Sequence, residues 1–427
     1  MRINNAQISA HNELNLNLHT RQFALFSEHL EQKGIDSDNL ISQINALQVA
    51  IPSWALGTGG TRFGRFPGGG EPRNLEEKID DVGLIHALTK AAGAISLHIP
   101  WDIPKNPGEI KSLAASHGLI FDAVNSNTFQ DQSGQLHSYK FGSLCSSDDN
   151  SRKLAIDHNI EVIEYGKQLG SKSITVWLAD GTSFPGQANF RHNLFRTRDS
   201  LKEIYQHLPA DWQMFIEYKP YEPNFYSTVI QDWGTSHFLA QSCGEKAYCL
   251  VDLGHHLPNT NIEQIVATLL GIGKLGGFHF NDSKYGDDDL SVGSIKPYQL
   301  FLIFHELVWG MANNEANNPP IAYMIDASHN LKDPIEDLIQ SLEAIRIAHA
   351  KALLIDHQAL AEAQQNHDPA LAQEILQEAF QTDVRPLVRE ARLRNGAALS
   401  PIDCFRELKV RENLIDERGK TTIATGL

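Results

Sequence analysis

Residues 247–290 read AYCLVDLGHHLPNTNIEQIVATLLGIGKLGGFHFNDSKYGDDDL, and this stretch decides the fold. It opens on one apolar run, Ala247–Leu253, and reaches a second at Gly276–Phe280. Between them Thr260 with Glu263 forms a capping-box pattern that opens a helix. Runs that are apolar throughout, rather than alternating, are what burial on both faces of a parallel sheet requires. The unit is therefore strand, helix, strand. Polar groups gather where each strand ends: Asp252, His255 and His256 on the first, then His279, Asn281, Asp282 and the acidic run Asp287–Asp289 on the second.

The same pattern extends outward in both directions. Val49–Trp54, Ala94–Ile99, Leu119–Val124, Ser173–Leu178, Gln213–Tyr218 and Ile321–Ile325 are further short apolar runs. The segments between them carry helix signals. Asn74 with Glu77 is a capping box ahead of Leu75, Ile79, Val82 and Ile85. Residues 150–169 are periodic through Ile156, Ile160 and Ile163, and Gly170 stands where a helix-ending glycine belongs. Asp333, Pro334 and Glu336 open the helix after the last strand. Eight strand–helix units predict a parallel sheet, and eight of them favour a closed (β/α)8 TIM barrel over a doubly wound sheet. Residues 11–33 read as one amphipathic helix stopped by Gly34, and beyond about residue 340 only helical patterns occur, among them Ala370–Phe380 and Val384–Arg394. The expected organisation is a barrel domain over residues 1–345, including the N-terminal helix, followed by a C-terminal α-helical extension over 346–427.

Composition narrows the class. With 36 basic against 52 acidic residues the formal charge is −16, which argues against a nucleic-acid partner and suits a site that binds cations, though it also serves solubility. Four cysteines without CxxC spacing predict no disulfide framework and a reduced, cytoplasmic setting. No secretory leader pattern and no apolar run long enough to span a membrane are present. Residues 57–70, GTGGTRFGRFPGGG, fit neither GxxxxGK[ST] nor GxGxxG, so a nucleotide cradle is disfavoured.

Barrel enzymes build their sites on the loops after the strands. Here Glu217 and Lys219 end strand 5, Asp252 and His255 end strand 6, His279 with Asp287 and Asp289 belong to strand 7, and Asp326, Ser328 and His329 to strand 8. Any one aspartate among them reads more readily as a helix cap or turn residue, and His256 and His329 as hydrogen-bonded support. As a set they describe carboxylates converging on one volume, which repel unless protonated or bridged by a cation. A ligand set of oxygen and nitrogen without thiolate suits Mn2+, Mg2+ or Co2+, and about seven candidates suffice for two ions. The opposite half of the barrel offers aromatic and hydroxyl-reading groups: Trp54, His98, Trp101, Asn127, Phe129 and Trp177. Aromatic faces at strand ends suit a sugar and equally suit rim packing.

The segments SWALGTGGTRFGRFPG, SLHIPWD, NSNTF, TVWLADG, YEPNFYSTVIQDWGT, VDLGHHLPNTNIE, GGFHFNDSKYGDDDL and MIDASHN together resemble L-rhamnose isomerase, of the xylose-isomerase-like barrels, over about residues 50–345. The resemblance implies a homotetramer with two divalent ions per site, usually Mn2+. One ion would be held by Glu217, Asp252, His279 and Asp326, the other by His255, Asp287 and Asp289. It further implies ring opening at His98, a lysine beside the C1 and C2 oxygens at Lys219, and Phe63 closing a neighbouring subunit's pocket. The implied activity is interconversion of L-rhamnose and L-rhamnulose, with D-allose and related sugars as further substrates. Either a 1,2-hydride shift or a cis-enediol accounts for it, the latter needing a carboxylate such as Asp326 near C1 and C2. A metal-dependent ketose 3-epimerase with one ion is the alternative.

Overall fold

A computed structural model describes residues 3–56, 66–222, 226–313, 318–329 and 331–420. Eight parallel strands follow the expected order: β1 (Ala50–Pro52), β2 (Ala94–Ser96 with His98–Ile99), β3 (Ile120–Phe121 with Val124–Ser126), β4 (Ser173–Val176), β5 (Gln213–Glu217), β6 (Ala247–Asp252), β7 (Leu275–Phe280) and β8 (Ala322–Ile325). Each pairs with its successor, and β1 pairs with β8 through Ala50 and Met324. The ring closes between β2 and β3, whose ladder is irregular: the amides of Ile120, Asp122 and Asn125 donate to the carbonyls of Gly93, Ile95 and Leu97. The extra residue this spacing inserts in β3 divides both strands into two short pieces.

Period-two alternation then sorts every strand. Met214 and Ile216 of β5, Cys249 and Val251 of β6, Phe278 and Phe280 of β7, and Ile325 beyond Tyr323 of β8 belong to the main core under the helices. Their neighbours point into the lumen, where Ala123, Phe215 and Leu250 pack as one small cluster and Ala50, Ala94 and Met324 as another. Continuing the inward set one or two residues further delivers Glu217, Asp252, His279 and Asp326 to the carboxyl end of the lumen. Gly276 of β7 makes room beneath them, since a Cβ there would stand 2.5 Å from Tyr248 Cβ and 2.7 Å from the Phe215 ring.

The helix ends match the sequence signals at three sites. Asn74 caps the helix Leu75–Thr89 through the Glu77 amide, Gly170 closes Asp149–Leu169 at φ +92°, and Asp333 caps Pro334–Ala352. At a fourth the cap lies one residue later: Asn261 accepts from the Gln264 amide, while Thr260 Oγ1 turns back to the Leu257 carbonyl. Strand 1 is shorter than its apolar run because Ser53–Leu56 wind into a single 3-10 turn. Within residues 11–33, Leu16–Gln32 form one helix that ends before Gly34 as expected, but residues 11–13 close a separate helix, Asn5–Glu13; a third, Ser37–Ala46, follows. Asn12 is the reason for the early break, since its side chain donates to Ala397 O (2.9 Å) and accepts from the Leu399 amide (2.8 Å), tying the first helix to the tail.

Beyond β8 the described residues contain only helices, and the boundary expected at 345/346 falls inside Pro334–Ala352. The tail packs at several places, with Phe380 against Tyr298 and Phe301 and Phe405 in the main core. Leu387, Val388 and Ala391 make a separate core with Leu30, Leu40, Ile41 and Ile44 of the N-terminal helices. The last helix, Val410–Arg418, lies against the end of the Gly-rich segment. Arg418 forms a buried two-pronged ion pair with Asp81 (2.8 and 2.9 Å) and donates to Gly70 O (3.1 Å), while Arg411 bridges Asp333 and Gly69 O. No described helix is long and apolar enough to cross a membrane, and all four cysteines are unpaired.

Candidate metal centre

His279 Nδ1 sits among three carboxylates, 3.2 Å from Glu217 Oε1, 3.7 Å from Asp252 Oδ2 and 3.8 Å from Asp326 Oδ2. One ligand atom from each of Glu217, Asp252, His279 and Asp326 lies within 4.8 Å of all the others, the one such set among the described residues. Each carboxylate is positioned by a neighbour. Asp252 is fully buried, and its Oδ1 accepts from the Gly254 amide (2.7 Å) and Asn281 Nδ2 (2.9 Å). Its Oδ2 has no hydrogen-bond partner. Asp326 Oδ1 accepts from Trp54 Nε1 at 2.9 Å, a bond made possible by the 3-10 turn after β1.

The second group adjoins the first. His255 Nε2 lies 2.9 Å from Asp287 Oδ1, and His255 Nδ1 lies 3.2 Å from Glu217 Oε1. Asp287 also pairs with Lys219, whose Nζ stands 3.4 Å from Glu222 Oε2 and 5.5 Å from the centre of the Trp177 ring. Asp287 and Asp289 both adopt left-handed backbone angles, φ +57° and +48°, a conformation aspartate tolerates better than most residues. The residue between them has a different task. Asp288 accepts from the amides of Lys284, Tyr285 and Gly286 at 2.8–2.9 Å and so braces the loop.

Electrostatics mark the cluster as short of positive charge. Burial and then Asp287, Asp326 and Asp252 hold the Asp289 carboxyl well above its ordinary range. Burial, with Asp252 and Glu217 beside it, pushes Asp326 up to about 7. Burial opposes charge on His255 and His279 as well, yet the surrounding carboxylates raise both. A cation placed among these groups would stabilise the ionised carboxylates and favour neutral imidazoles, the form that can ligate it. Three carboxylates, one imidazole and a buried unbonded Asp252 oxygen fit a hard or borderline divalent ion.

Across the lumen, His98 is held from behind: its amide donates to Asp102 Oδ2 (2.9 Å), and Asp102 is fixed by Lys78 Nζ (2.8 Å) and by Ser53. Burial pulls the His98 imidazole down to about 4, so it is neutral near pH 7. Its Nδ1 is buried without a hydrogen-bond partner, as is Asn127 Nδ2. Phe129 joins Trp101 and Trp177 in a continuous wall, with ring centres 6.0 and 5.0 Å away. Trp54 meets His98 edge to face at 6.4 Å. His256 is a support, its Nε2 2.7 Å from the Tyr218 hydroxyl. Phe63 lies outside the described residues. The Asp102–Lys78 pair and the Trp54–Asp326 bond escaped sequence reading, because their partners come from elements far apart in the chain.

No family model matches the chain. It is 51% identical over 416 residues to a probable sugar isomerase of Rhizobium meliloti (strain 1021), covering 97% of this chain and 96% of that one. A probable sugar isomerase of Mesorhizobium japonicum is 50% identical over 406 residues, covering 95% and 94%. The xylose isomerase of Thermus thermophilus is 25% identical over 261 residues, covering 56% of this chain and 64% of that one. Among solved structures, an L-ribulose 3-epimerase aligns with a TM-score of 0.53 at 12% identity, over 73% of this chain and 99% of that chain, a likeness of fold.

Proposed function

Because the chain belongs to the family of those probable sugar isomerases, we propose that it is a metal-dependent aldose–ketose isomerase of unphosphorylated monosaccharides. The observation that carries the reading is the four-ligand set of Glu217, Asp252, His279 and Asp326 at the ends of β5 to β8. In it these four would hold one divalent ion, and His255, Asp287 and Asp289 a second; the donors suit Mn2+, Mg2+ or Co2+, and the sequence resemblance favours Mn2+. Such ions, when bound, polarise adjacent sugar oxygens and lower the cost of charge developing there.

The protein's own groups do the rest. His98, neutral and fixed through Asp102, takes the proton of the anomeric hydroxyl and returns it to the ring oxygen as the bond from C1 to that oxygen breaks. Lys219 places a cation beside O1 and O2. The wall of Trp101, Phe129 and Trp177 takes the apolar face of the sugar and keeps water away, and Asn127 Nδ2 offers a free donor to a hydroxyl. Hydrogen passes between C1 and C2 as a 1,2-hydride shift while a proton moves between O1 and O2. Deuterium from solvent at C1 or C2 of the product would count against this route in favour of a cis-enediol. L-rhamnose as preferred substrate, the homotetramer and the role of Phe63 rest in this proposal on sequence resemblance.

The deciding experiment is an aldose panel of L-rhamnose, D-allose, L-mannose and L-lyxose. Turnover should vanish after EDTA and return with Mn2+, and failure to convert any of the four would end the isomerase reading. A stoichiometry of one ion per chain with inversion at C3 would favour a ketose 3-epimerase instead. Trp54→Phe keeps the ring and removes the N–H that holds Asp326 (2.9 Å). Loss of a bond that orients a ligand costs about 10–100-fold in metal affinity, so a Mn2+ titration should show a weaker site, and an unchanged one would detach Trp54 from the centre.

A further inference from the structure

At the opposite end of the barrel, where the helix Leu75–Thr89 turns toward β2, a cavity of about 210 Å3 lies between the barrel floor and the C-terminal helices. That is the volume of roughly seven water molecules at about 30 Å3 each. Three guanidiniums line it, Arg346, Arg389 and Arg392, against one carboxylate, Glu343. Glu343 is already taken: it pairs with Arg392, which also donates to the Ala398 and Leu399 carbonyls at 3.1 and 3.0 Å.

Arg346 has no such partner. Its side chain is among the largest fully buried ones, at 2% exposure. Two of its nitrogens donate to the carbonyls of Thr89 (3.0 Å) and Lys90 (2.8 Å), and its Nε has no hydrogen-bond partner. Those carbonyls end a helix and carry only a fraction of a negative charge. A buried charge without a full counter-charge is costly: burial and then Arg392 lower the Arg346 pKa to about 10, with Glu343 opposing them only in part. Arg389 is half-buried on the same wall. The carboxylate that feels it, Asp383, is held by Arg385 at 2.6 Å.

We propose that this cavity binds a small oxyanion, phosphate or a carboxylate-bearing compound, which supplies the counter-charge that Arg346 and Arg389 lack. Guanidinium forks match the paired oxygens of both anions, and the remaining volume admits bridging water. The site is remote from the carboxylate cluster and independent of the isomerase reading, so its test does not depend on turnover.

Full-length protein is titrated by calorimetry with inorganic phosphate and with citrate, against sodium chloride at equal ionic strength, and its melting temperature followed in parallel. Saturable binding and a rise in melting temperature beyond the chloride response are expected for at least one anion. Phosphate alone assigns a tetrahedral ligand, and citrate alone a carboxylate. Arg389→Gln should weaken binding about tenfold or more, the scale of one lost charge-assisted bond, and Arg389→Lys, which keeps the charge, by less. Arg198→Gln, on the helix Phe190–Gln206 and outside the cavity lining, should change nothing. No saturable response in the wild type, or equal affinity in Arg389→Gln, overturns the proposal.

Discussion

Glu217→Gln is expected to abolish measurable sugar isomerisation, lowering kcat by about a thousandfold or more, while the protein stays folded. The change keeps the side chain's volume and removes its charge. Glu217 Oε1 stands 3.2 Å from both His279 and His255, so one carboxylate links the two ligand groups. Two imidazoles favour its ionised form against the cost of burial, holding its pKa below the usual range. Lewis-acid stabilisation of a developing oxyanion is worth several kcal/mol, and about 4 kcal/mol corresponds to about a thousandfold in rate. The check is kcat with saturating Mn2+ on the converted aldose, beside the metal content of the purified variant. A variant that turns over normally and carries its full complement of metal would remove Glu217 from the centre.

The second large effect concerns stability. Asp81→Ala should destabilise the protein by up to about 3–5 kcal/mol, because it removes the two-pronged partner of a buried guanidinium and leaves it only Glu77 at 3.6 Å. Asp81 and Arg418 are each 1% exposed in their side chains and joined by two hydrogen bonds. Replacing both with apolar groups of similar size, Asp81→Leu with Arg418→Met, should recover most of that loss, since the cost lies in the unpaired charge. Urea unfolding followed by circular dichroism reads both variants. If the double variant were as unstable as the single one, the pair would be making a net contribution that this reasoning denies it.

The barrel was legible because its signals are local. Four of the helices that follow or connect the apolar runs carry an end signal in the sequence, and the structure uses each within one residue. The clustering of the candidate ligands was legible for the same reason: a polar residue ending an apolar strand has one strand end to occupy, and four adjacent strands bring Glu217, Asp252, His279 and Asp326 together. The support around them was not. Trp54 read as an aromatic face, and its donation to Asp326 depends on the 3-10 turn Ser53–Leu56, which the apolar run Val49–Trp54 did not reveal. Asp288 looked identical to Asp287 and Asp289, and only backbone geometry separates the brace from its neighbours. The N-terminal segment misled because the partner of Asn12 lies 385 residues away.

That last distance shapes how the chain must be made. The N-terminal helices find their apolar partners at Leu387, Val388 and Ala391, and Asp81 waits 337 positions for Arg418. At about 5–20 residues per second on the ribosome, Asp81 spends roughly 17–67 s without its partner. Through that interval Leu30, Ile41 and Ile44 belong to a nascent chain with no surface to cover them. The step most exposed to misassembly is thus biosynthetic, and a truncated transcript would release a barrel with its first helices bare.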